Sequence, residues 1–132
     1  MLKLITTVTE VLMLLYWVLA TALVLNVINI DPSLMYSDYK NPLVVAWNWS
    51  FFPIDIAFAS IGLFAKYGNV VGALKFKLEI SAATLMLCAG LMAVSYWVIT
   101  GDFNPSWWAV NIGLIFLGLL NLYTVKVDDT SS

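Results

Sequence analysis

Histidine and arginine are absent from the 132-residue chain, cysteine occurs once, and only 11% of residues are charged. Each shortage closes off a class of function. Without histidine there is no imidazole-ligated haem, no usual zinc site and no imidazole general base. With Cys88 alone, an intrachain disulfide is excluded, and a thiol inside an apolar run reads as inert packing. Eight acids against six lysines give a formal net charge of -2. The acids are scattered through loops and tail, so no nucleic-acid partner is expected, and no cofactor or metal is expected either.

What the chain has instead is apolar sequence. Hydrophobic residues make up 62% of it, well above the ~45–50% of soluble domains. The length suffices for about four membrane helices of ~20 residues with short loops, and not for an added soluble domain. The pattern predicts an all-α polytopic membrane protein, one four-helix transmembrane bundle over residues 1–132. Its spans are expected at about 4–30, 43–65, 78–100 and 107–125. Lys3, the apolar run after it and Ala20-Thr21-Ala22 imitate a signal peptide. That run continues to Ile30 and carries Glu10, so a retained first helix is expected.

Punctuation supports these boundaries. Pro32 pushes Asp31 out of helix. Asn41-Pro42 and Asn104-Pro105 each place an N-cap before a proline suited to a first helical turn, and Asp102 is expected to share the second cap. The loop 66–77 is only partly polar, and Glu79 after it is expected at a helix start, where an acid complements the dipole. Lys3, Lys66, Lys75, Lys77 and Lys126 fall on one side of these spans and Lys40 on the other. That bias predicts both termini in the cytoplasm of a bacterial inner membrane, with loops 31–41 and 101–106 outside.

Polar and small residues at helical spacing give each span one mildly polar stripe: Thr6, Glu10, Trp17 and Thr21; Asn48, Phe52, Asp55, Ala59 and Gly62; Ser81, Thr84, Cys88 and Ser95; Asn111, Gly118 and Asn121. Such stripes are expected to face the bundle interior, where small residues admit close packing and polar ones find partners. Asp55 stands out. It lies roughly 18 Å inside its span at ~1.5 Å rise per residue, where a carboxylate costs at least ~2.5–3.5 kcal/mol. An acid there suits a proton donor or a neutral hydrogen-bonding group. Pro53, two residues earlier, is expected to kink the helix.

The segment from Asn41 to Asp55 (NPLVVAWNWSFFPID), with Gly101 to Trp108 (GDFNPSWW) and the early Tyr16-Trp17 pair, resembles the YvaD-like family of small bacterial membrane proteins. The resemblance implies a four-helix membrane protein and brings no established activity. In general layout a mid-membrane acid among four helices is also similar to sterol-isomerase-like proteins, whose expected histidine is missing here.

Three functions fit. The favoured one is binding of a membrane lipid or another hydrophobic or amphiphilic small molecule in an outward-facing pocket. Trp47, Trp49 and Trp97 would form its rim, Asn48 and Asn111 its wall, and Asp55 its floor and the one candidate for catalysis. Whether there is turnover, and so whether the protein is an enzyme, is left open by a single acid without a visible base. The second is an accessory or structural subunit whose seam packs on a membrane partner or another copy. The third is a small proton-coupled multidrug-type transporter using Glu10; the end position of Glu10 and the lysine bias oppose it.

Overall fold

The computed structural model describes residues 1–35 and 38–126, and the described residues are helical with no strand. Helix α1 is Leu2–Val24, α2 Pro42–Ser50, α3 Phe52–Tyr67, α4 Gly72–Thr100 and α5 Pro105–Thr124, with a 3₁₀ turn at Pro32–Leu34. Helices α2 and α3 together make one span, so four segments are long and apolar enough to cross a bilayer. The fold is the four-span helical bundle that the hydropathy pattern implies.

Three boundaries differ from those expected. The first helix stops at Val24 rather than Ile30, because Asn26 takes a left-handed conformation at φ 55°. Val27 N–H then reaches back to the Ala22 carbonyl at 2.9 Å and Asn26 N–H to that of Leu23 at 3.1 Å, the paired bonds of a Schellman cap. Asparagine tolerates that geometry, and hydropathy alone cannot see it. At the other end, α4 begins at Gly72 instead of Leu78. Glu79 therefore lies two turns inside the helix and not at its start. The third difference is a break: Pro53 offers no N–H, Phe51 N–H closes onto Asn48 O at 3.2 Å, and the span divides into α2 and α3. The expected kink is thus a break two residues before the proline.

The caps follow the sequence. Asn41 Oδ1 accepts from Leu43 N–H at 3.0 Å, and Asn104 Oδ1 accepts from Ser106 and Trp107 N–H at 3.2 and 3.4 Å. The Asp102 backbone carbonyl accepts from Trp108 Nε1 at 3.2 Å. In the 3₁₀ turn, Asp31 accepts from Ser33 N–H, which holds its carboxyl below the usual carboxylate range.

Helix α4 is the centre of the molecule. Its buried face is Ala82, Ala83, Met86, Ala89, Gly90, Ala93 and Trp97, mostly small residues that let neighbouring backbones come close. The polar stripe expected there faces the other way: Ser81, Thr84 and Ser95 are exposed and Cys88 half-buried. Ser81 satisfies its hydroxyl on the Lys77 carbonyl one turn back, at 2.8 Å, so it needs no interhelical partner. Packing runs in a row, α1 on α3, α3 on α4 and α4 on α5. The row does not close: α1 and α5 do not pack along their length. Their side-chain contacts include the Tyr16–Trp107 ring pair, with centroids 5.8 Å apart, and a 2.9 Å bond from Asn121 Nδ2 to Thr6 Oγ1.

Candidate functional site

The row order sets the site. Where α1 and α5 fail to close, a cavity of about 990 Å³ runs inward from the end of the bundle formed by the 101–104 turn and the start of α2. Its sides include Leu12 on α1 and Val110 on α5, 59% and 48% exposed, so it is open laterally as well as at the end.

Asp55 reaches this cavity from the first turn of α3 and is only 6% exposed. The break at Phe51 puts it there, since α3 restarts with Asp55 N–H bonded to the Phe51 carbonyl at 2.9 Å. Its partner comes from α1: Trp17 Nε1 donates to Asp55 Oδ2 at 2.9 Å. The Trp17 indole is itself held by Trp49 and Phe52, each with ring centroids 5.3 Å away. One carboxyl oxygen is thus fixed by a clamped donor, while the group still borders the cavity. Changing Trp17 to Phe keeps most of the ring volume but removes the donor. The bundle is expected to lose about 1–3 kcal/mol for the unsatisfied acceptor, read as a shifted unfolding midpoint in detergent.

Five of the six expected binding residues line the same cavity: Trp47, Asn48, Asp55, Trp97 and Asn111. Trp49 does not; it backs the Trp17 ring instead. Trp97 is buried rather than on the rim, at 7% exposure. Asn111 bonds the Trp107 carbonyl of its own helix at 3.0 Å instead of bridging two helices. Sequence reasoning missed Trp17 as the partner of Asp55, and it also missed Tyr16, Tyr96 and Trp107 in the cavity wall. The available signal was the place of Trp17 on the polar stripe of α1.

The opposite end of the bundle has different chemistry. Glu10 on α1 and Lys66 near the end of α3 form an ion pair in which Lys66 Nζ lies 2.6 Å from both carboxylate oxygens. Glu10 is 1% exposed, so it is buried against α3 and does not reach for the boundary. The pair borders a smaller cavity of about 360 Å³ that also touches Lys3, Lys75, Glu79 and Lys126.

With this geometry in place, comparison with known proteins gives the family. A model described as a family of unknown function (DUF5360) matches residues 2–131. The chain belongs to that family. It is also 34% identical over 122 residues to an uncharacterized protein, YvaD, of Bacillus subtilis, covering 92% of this chain and 88% of the relative. No solved structure matches. The bacterial relative and the four candidate spans together indicate a bacterial membrane protein of the DUF5360 family. Membership carries no activity with it, so function has to be argued from the site.

Proposed function

We propose that the protein binds a lipid or another amphiphilic small molecule in the cavity between α1 and α5, with Asp55 at its floor. The observation that carries this reading is the shape and lining of the space: roughly 990 Å³, at the upper end of ligand-pocket sizes, walled by apolar and aromatic side chains around a few polar groups. The lateral opening between Leu12 and Val110 suits a molecule that arrives dissolved in the bilayer. Orientation follows from the lysines: four of the six border the Glu10 end, which we assign to the cytoplasm, so the larger cavity opens outward. A proton carrier built on Glu10 has less support, because Lys66 occupies both of its carboxylate oxygens.

Native mass spectrometry of gently solubilised protein tests the proposal. Wild type is expected to carry a discrete bound molecule. Asp55→Asn keeps an acceptor for Trp17, so it is expected to assemble normally and to retain less of that molecule. Gly113→Leu is the narrowing variant. Gly113 borders the cavity, and a Cβ there would meet nothing within 4 Å, so a larger side chain starts into open space. It should retain less of the molecule than wild type. A wild type that carries no discrete molecule, or equal occupancy in all three proteins, would overturn the reading.

A further inference from the structure

The larger cavity is lined by charged groups of one sign only, whereas the smaller mixes lysines with Glu10 and Glu79. Three carboxyl groups border the larger one, Asp55 at the floor with Asp38 and Asp102 near the mouth, and no lysine does. Four of the six lysines border the smaller cavity at the other end. Lys40 is the one cation near the mouth by sequence, and its ammonium lies over the Tyr39 ring at 5.9 Å, outside the cavity wall.

The aromatic lining adds a second, independent observation. Trp47 stacks on Tyr96 with centroids 3.9 Å apart and planes 20° from parallel, and Trp97 meets Trp47 nearly edge-on at 5.9 Å. Across the opening, Tyr16 and Trp107 form a further edge contact at 5.8 Å. Ring faces carry negative potential and attract ammonium groups, most strongly where water is excluded. An anionic head would meet three acids and no lysine here; a neutral head could hydrogen-bond to the carboxyl groups but would gain no charge attraction from them or from the ring faces.

Building on the pocket reading, we infer that the cavity selects amphiphiles with a positively charged amine or quaternary ammonium head. The head lies among Trp47, Tyr96 and Trp97 and is drawn by the carboxyl groups of Asp38, Asp55 and Asp102. The apolar tail follows the wall past Met13 and Leu117 towards the gap between α1 and α5.

The test uses three probes with one alkyl chain, decyltrimethylammonium, decanol and decyl sulfate, titrated against the whole protein in uncharged maltoside micelles. Tryptophan fluorescence reports binding, with the signal of a tryptophan-containing transmembrane peptide in the same micelles subtracted as partitioning. Wild type is expected to prefer the ammonium probe by at least ~10-fold over the other two. The preference should shrink in Asp55→Asn and, should that variant fail to fold, in Asp38→Asn at the exposed mouth. Equal affinity for all three probes would overturn the charge selection and leave the pocket standing. No binding of any probe beyond partitioning would remove both. Competition by phosphatidylethanolamine, but not by phosphatidylglycerol, would identify a lipid amine as the source of the head group; competition by neither would point to a free cationic amphiphile.

Discussion

Glu10→Ala is expected to destabilise the bundle more than any other truncation of a polar side chain. It leaves the Lys66 ammonium without its carboxylate in a site where that lysine side chain is only 12% exposed. Removing one partner of a buried pair typically costs about 3–5 kcal/mol. The loss here should fall near the lower end, because Lys66 is one residue from the end of α3 and can snorkel outward. A double change, Glu10→Ala with Lys66→Met, should recover most of the loss, since no charge then remains buried. Unfolding of the four proteins in detergent by increasing denaturant gives the coupling energy directly. Coupling near zero would mean that the pair contributes little to folding.

Gly90→Val is the second large effect, with a different cause. Helices α4 and α5 approach backbone to backbone at two glycines. A Cβ on Gly90 would sit 2.6 Å from the Asn111 carbonyl oxygen and 2.9 Å from Ile115 Cγ1; one on Gly118 would sit 2.9 Å from the backbone nitrogen of Leu87. Backbone cannot rotate aside as a flexible side chain can, so the helices must separate. The cost is expected at about 1–3 kcal/mol or more, and since Asn111 lines the cavity, ligand retention should fall with it. Gly113→Ala is the control, on the same helix with open space around its Cβ. It should be neutral or slightly stabilising, because alanine favours helix over glycine. Thermal unfolding of the three proteins side by side decides the matter; equal midpoints would refute the close-approach argument.

Composition made the architecture readable, because a bilayer admits few alternatives for a chain this apolar. It also flagged Asp55, since a lone acid in an apolar run must find a protein partner or a cavity. The partner itself was out of reach. Trp17 and Asp55 are 38 positions apart, and which residues of two helices meet depends on their rotation and vertical offset, neither of which hydropathy encodes. The same gap hid the match between Glu10 and Lys66. The α4 stripe misled for the opposite reason. Serine and threonine can bond their own helix, so their spacing does not fix an inward face. In α4 the informative residues were the alanines and glycine, whose small size decides which side can be approached. The early end of α1 turned on the backbone angle of Asn26 alone.

The row of helices that never closes has a consequence for what the cavity measures in a guest. A sealed chamber would count carbon atoms and reject any chain too long for it. Here α1 and α5 are not packed along their length, although side chains such as Tyr16 and Trp107, and Thr6 and Asn121, meet between them. A tail that outgrows the space can continue sideways into the surrounding lipid. On the binding reading proposed above, discrimination rests on the end of the molecule that lies among the aromatic rings, and guests of very different tail length should bind alike.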